Sequence, residues 1–151
     1  MRSSTRIRRL VTETRHSRAL LDASVLIDIH RVEASALPGV LAISALTMAE
    51  LATGPHATDD PEERARRQER LQRVESSFDP LPFDAAAARA YGRIYAAVAG
   101  TGRKVRGRRA VDLMIAAVAL ATQLPLYTLN ESDFAGLEDL IEVVPVTLRA
   151  D

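Results

Sequence analysis

The segment AVDLMIAAVAL, residues 110–120, is apolar at every position except Asp112. A helix that is apolar all round has no face to offer water, so it must be buried between other elements. It is far shorter than the roughly 20 residues needed to cross a bilayer, so a protein interior must bury it. The chain therefore has to build layers around this helix. An acid near the start of a helix is ordinary, because it meets unpaired backbone N–H groups and the positive end of the helix dipole. The question is whether Asp112 does only that.

The remaining segments supply the layers. ALLDASVLIDIHR predicts a short strand at Ala19–Leu21 running into a helix near Ser24. VLAISALTMAELATG repeats the design, with a strand at Val40–Ser44 and a helix ending near Gly54. Pro61 suits the first position of a charged helix over Glu62–Glu75, whose apolar side is sparse, with Leu71 and Val74. FDPLPF reads as an edge strand or extended link because of its prolines. Asp84 is placed to cap an Ala-rich helix to Ala99, and a basic turn covers Gly100–Gly107. After the apolar helix come a strand in LPLYTL, a turn at NESDF and a last strand in IEVVPV. Strands that alternate with helices predict a parallel sheet covered on both faces, a three-layer α/β/α sandwich.

Several chemistries are excluded at once. The chain has no cysteine, so disulfides, thiolate catalysis and zinc–thiolate sites are absent. His16, His30 and His56 have no metal-ligand spacing, and GTGRK near Gly100 lacks the spacing of a phosphate loop. No apolar run reaches membrane-spanning length and no signal-peptide core precedes Ala19, so a cytoplasmic protein without a membrane is expected. The net charge is zero, but the charges are unevenly distributed. Residues 1–18 read as a flexible basic arm before a domain over 19–151. A second cluster, Arg103, Lys104, Arg106, Arg108 and Arg109, precedes Asp112 and is a candidate for holding RNA phosphates.

In an open parallel sheet, ligands bind beyond the carboxyl ends of the strands. Asp22 follows the first strand, Glu50 lies on the helix after the second, Asp112 opens the buried helix, and Asn130 and Asp133 follow the third strand. Singly, each acid has a structural explanation as a cap, a turn residue or a solvated side chain. Together they bring like charges to one edge, where repulsion and burial both penalise ionisation. A divalent cation removes both penalties. Donors that are all oxygen point to Mg²⁺ or Mn²⁺, and such ions support phosphodiester cleavage by metal-activated water.

The four stretches LLDASVLID, ISALTMAEL, AVDLMIAAVAL and LYTLNESDF, in this order and spacing, resemble a PIN-domain nuclease, in particular the VapC class of bacterial toxins. The likeness runs from about residue 19 to 146. It implies catalytic, metal-holding acids at Asp22, Glu50, Asp112 and Asp133, with Ser24 and Asn130 orienting carboxylates or water. It further implies a metal-dependent endoribonuclease, the toxin of a toxin–antitoxin pair, that forms a homodimer and is blocked by a small VapB-like antitoxin. Departures accompany the likeness: Leu129 stands where many relatives carry Arg, and the basic arm is no part of the usual domain. Two other readings use the same residues. One is a metal-dependent DNA nuclease or phosphatase, and the other a non-catalytic PIN-like interaction module.

Overall fold

A computed structural model describes residues 16–150. The basic arm expected over residues 1–18 therefore lies, through residue 15, outside the described residues. At its end, Arg18 already belongs to the first strand. The elements are β1 (Arg18–Leu21), α1 (Ala23–Ile27), β2 (Val40–Ile43), α2 (Ala45–Thr53), α3 (Pro61–Ser77), α4 (Ala85–Ala99), α5 (Arg108–Thr122), β3 (Leu126–Thr128) and β4 (Val143–Pro145).

The strands form one parallel sheet in the order β2-β1-β3-β4. Leu21 pairs with Ile43 on one side and with Tyr127 on the other. Side chains alternate across a strand, and here both faces are covered. Leu20 and Leu126 point into a core shared with α4 and α5, whereas Ala19, Leu21 and Tyr127 point into one shared with α1, α2 and α3. This is the expected three-layer sandwich, and it explains why β1 reads as an unbroken apolar run.

Local chemistry sets most boundaries. Ser44 caps α2 by accepting from Thr47 N–H at 3.1 Å, and Asp84 caps α4 by accepting from Ala87 N–H at 3.0 Å. Pro61 opens α3 behind its cap Asp60. Only Leu71 and Val74 of α3 are buried. Arginines supplement that thin apolar seam: Arg67 Nη1 donates to Gly54 O at 2.9 Å and Arg64 Nε to Pro55 O at 3.1 Å. The apolar helix α5 is enclosed as expected, with Leu113 and Ile115–Ala119 buried. Ala87, Ala90, Ile94 and Val98 of α4 form a seam in the same core. Among the described residues, no helix is long and apolar enough to cross a membrane.

Most boundaries differ from expectation by a residue or two, and one difference bears on the site. α5 begins at Arg108, after Gly107 in the left-handed region at φ 55°, so Asp112 sits in the second turn and does not open the helix. It is too far from the end to cap unpaired N–H groups, which removes the ordinary explanation for an acid there.

Candidate active site

The connection from β1 through α1 leads to β2 on one side of the sheet, while β3 leads to β4 on the other. The crevice of such a fold lies where those directions diverge, beyond the ends of β1 and β3. Asp22 and Thr128 stand at those two ends. Asp22 N–H still donates to Tyr127 O at 3.2 Å, as a last rung of the ladder. The Asp22 side chain then caps α1, its Oδ1 accepting from Val25 N–H at 3.4 Å.

Two hydroxyls complete its surroundings. Ser24 Oγ donates to Asp22 Oδ1 and Thr128 Oγ1 donates to Oδ2, each at 2.5 Å. Both bonds run from hydroxyl to carboxylate, since a carboxylate only accepts, and each hydroxyl oxygen still has a lone pair for a backbone N–H. Leu129 N–H donates to Ser24 Oγ at 3.1 Å and Asn130 N–H to Thr128 Oγ1 at 3.0 Å. Each hydroxyl thus keeps its own hydrogen for the carboxylate. Asp22 is only 8% exposed, so these bonds are what make its burial tolerable.

The other acids are held differently. Glu50 on α2 is half-buried, and burial is the main influence raising its pKa; Arg108 opposes the rise and Asp22 adds to it. Asp112 is pushed up to about 6, first by burial, then by the like charges of Asp133 and Glu50; Arg108 acts against them, and Asp22 adds a smaller push. These mutual influences place all four acids in one electrostatic neighbourhood, drawn from four separate segments of chain. Asp133 reaches it from the 3₁₀ turn Glu131–Phe134, where its N–H donates to Asn130 O at 3.0 Å.

Among the described residues, no three acids or histidines close tightly enough to enclose a metal ion as they stand. The acids are electrostatic neighbours rather than a finished ligand shell. In donor chemistry they suit a hard divalent cation, being all carboxylate oxygen. In charge they suit it too, because Asp112 carries a raised pKa that a nearby cation relieves.

The remaining candidates divide. Ser24 donates to the Asp22 carboxylate. Asn130 takes part through its main chain, with no capping bond from its side-chain amide. The basic cluster is not one surface. Arg103, Lys104 and Arg106 are exposed on the 100–107 turn. Arg108, in the first turn of α5, is the cation that acts on Glu50 and Asp112. Arg109 is half-buried, with Nη1 enclosed and without a hydrogen-bond partner among the described residues. Thr128 was not apparent from the sequence. Its only signal there is a polar residue closing an apolar strand.

The comparisons with known proteins agree with this architecture. The family model described as PIN domain matches residues 19–140. A Mycobacterium tuberculosis protein named Ribonuclease VapC5 is 35% identical over 127 residues, 82% of this chain and 90% of that protein. The crystal structure of VapBC-5, a member of the VapBC family of toxin–antitoxin systems from the same organism, superposes with a TM-score of 0.74 at 34% identity. That match covers 89% of this chain and 100% of the other. FitAcB from Neisseria gonorrhoeae matches with a TM-score of 0.65 at 25% identity, over 84% of this chain and 97% of that one.

Proposed function

This chain belongs to the PIN-domain family, and from that premise we infer that it is a metal-dependent endoribonuclease, the toxin of a toxin–antitoxin pair acting in the cytoplasm. The observation that supports this reading most is the meeting of Asp22, Glu50, Asp112 and Asp133 at the switch point of the sheet, with Arg108 the one cation among the influences on Glu50 and Asp112.

We assign the four acids as ligands of Mg²⁺ or Mn²⁺. Such a cation, when bound, supplies Lewis acidity, polarising water for attack on phosphorus and offsetting charge on the departing sugar oxygen. The chain's own residues do the rest. Ser24 and Thr128 fix the Asp22 carboxylate. Arg108 stands beside Glu50 and Asp112, where a scissile phosphate needs a counter-charge, and takes the place left by Leu129. Arg103, Lys104 and Arg106 hold neighbouring phosphates from the exposed turn. The chemistry leaves a 5′-phosphate and a 3′-hydroxyl and makes no use of the 2′-hydroxyl, so RNA as substrate rests on the family likeness.

The antitoxin is assigned to the groove between α1 and α3. Its apolar floor includes Leu26, Val74 and Phe78, and Ile27 and Ile29 at its edge are 40% and 39% exposed. A neighbouring hollow shares Ile27 and Arg70 with this groove and reaches Glu50, so a bound segment would run towards the acids. A homodimer completes the assembly. The test is to sequence the 5′ ends of RNA fragments after brief expression, beside matched DNA and small phosphoester substrates. Discrete RNA cuts bearing 5′-phosphates are expected. Cyclic 2′,3′-phosphate ends, or cleavage of the phosphoesters alone, would overturn the reading.

A further inference from the structure

We propose that Thr128 is a positioning residue that ties the Asp22 carboxylate to the Asn130–Asp133 turn, and so holds the first and fourth acids at one spacing. The proposal rests on the reading above that these acids face a divalent cation.

Thr128 is fully buried, 0% exposed, at the end of a strand whose other residues are Leu126 and Tyr127. Valine has the same shape and an equal preference for strands, and it buries without a polar penalty. Packing therefore gives no reason for the hydroxyl. Its bonds do. Thr128 Oγ1 donates to Asp22 Oδ2 at 2.5 Å, across 106 positions of sequence, and accepts from Asn130 N–H at 3.0 Å. Asn130 O in turn accepts from Asp133 N–H at 3.0 Å. Hydrogen bonds joined by the Asn130 main chain thus link the first acid, through one hydroxyl and one residue, to the backbone that carries the fourth. Ser24 makes a similar bridge from Oδ1 to Leu129 N–H, on the other side of the same carboxylate. With both oxygens held, the Asp22 carboxylate cannot rotate about its own axis, and its spare lone pairs keep a constant direction.

Three full-length variants separate the hydroxyl from the methyl group. Thr128→Val keeps the methyl and loses the hydroxyl, Thr128→Ser does the reverse, and Thr128→Ala loses both. Mn²⁺ affinity is read by calorimetry, and melting in EDTA reports folding independently. Affinity should follow the hydroxyl: Val and Ala weaken Mn²⁺ binding about 10–100-fold, the range for groups that orient metal ligands, while Ser stays within about threefold of wild type. In EDTA all three variants should melt below wild type, Ser through the cavity alone, Val through the unpartnered Asp22 oxygen and Asn130 N–H, and Ala through both, so the melts rank differently from the Mn²⁺ affinities. In cleavage assays kcat should fall for Val with KM for RNA unchanged. A Val variant that binds Mn²⁺ like wild type, or a Ser variant as weak as Ala, would overturn the proposal. Wild type that binds Mn²⁺ beside an unchanged Val variant removes Thr128's role alone. Wild type that binds no Mn²⁺ removes the ligand assignment and this proposal together.

Discussion

The acid cluster has two corners built on opposite physical terms. At one, Asp22 is nearly inaccessible to water, and a backbone N–H and two hydroxyls satisfy its carboxylate. At the other, Asp112 and Glu50 are half-buried, and burial with like-charge repulsion raises both pKa values while Arg108 only partly opposes the rise. The first corner is part of the fold: it caps α1 and joins the ends of β1 and β3. The second is held in place by the fold and strained by it. A carboxylate that supports structure and carboxylates that cost stability meet at one crevice, and functional sites commonly trade stability for activity in this way.

The largest expected effect would erase the distinction. Asp22→Asn, Glu50→Gln and Asp112→Asn should each bring RNA cleavage to the uncatalysed background, read on a defined RNA by gel. EDTA should do the same, with Mg²⁺ or Mn²⁺ restoring activity to wild type. Full cleavage by any folded variant would remove that acid from the mechanism.

Stability should then separate the corners. Wild type should gain about 2.7 kcal/mol when Mg²⁺ is present at a hundred times its Kd, and Asp112→Asn should lose most of that gain. Thermal melts across a Mg²⁺ series measure both. In EDTA, Asp22→Ala should destabilise the fold by about 1–3 kcal/mol, because two buried hydroxyls lose their acceptor. Asp112→Asn in EDTA should melt at or above wild type, because it relieves repulsion. Equal penalties for the two variants without metal would break the comparison.

The smallest effect sharpens it. The folded protein holds the Asp112 proton up to about pH 6, whereas the ordinary value is 3.8. Between those values the folded state binds more protons than the unfolded one, so this group lowers stability as pH rises through the window. In EDTA, the advantage of Asp112→Asn over wild type should be greatest above pH 6 and shrink as pH falls towards 5. An advantage that does not vary with pH would show that Asp112 feels neither burial nor its neighbours.

Much of this was legible in the residues, for local reasons. Asp84, Ser44 and Pro61 act within one helical turn, so their roles follow from sequence neighbours. The burial of α5 follows from its composition. The acids were expected as a set because Asp22 and Asp133 follow strands that end at one edge, and Glu50 and Asp112 lie on helices that start there. Asp112 was misplaced by one turn, since the helix starts within the basic segment and Arg108 and Arg109 fill its first turn. The basic residues were grouped as one cluster by sequence, and their separation appears only once the helix is known to include Arg108 and Arg109, since adjacent helical residues point about 100° apart. Asn130 was expected to orient carboxylates or water; in the structure its backbone N–H donates to Thr128 Oγ1 and its C=O accepts from Asp133 N–H.

The sequence alone determined the layers, the parallel sheet and the edge to which the acids belong, because periodicity, capping and strand–helix alternation are short-range properties of the chain. Tertiary structure decided which acid is satisfied and which is strained. Asp22 and Thr128 meet only because β1 and β3 pair side by side, and Asp112 feels Glu50 and Asp133 only because α2, α5 and the 3₁₀ turn converge beyond those strands. Hydrogen bonds and Coulomb forces act through distances in space, and those distances are set only once the strands are ordered β2-β1-β3-β4.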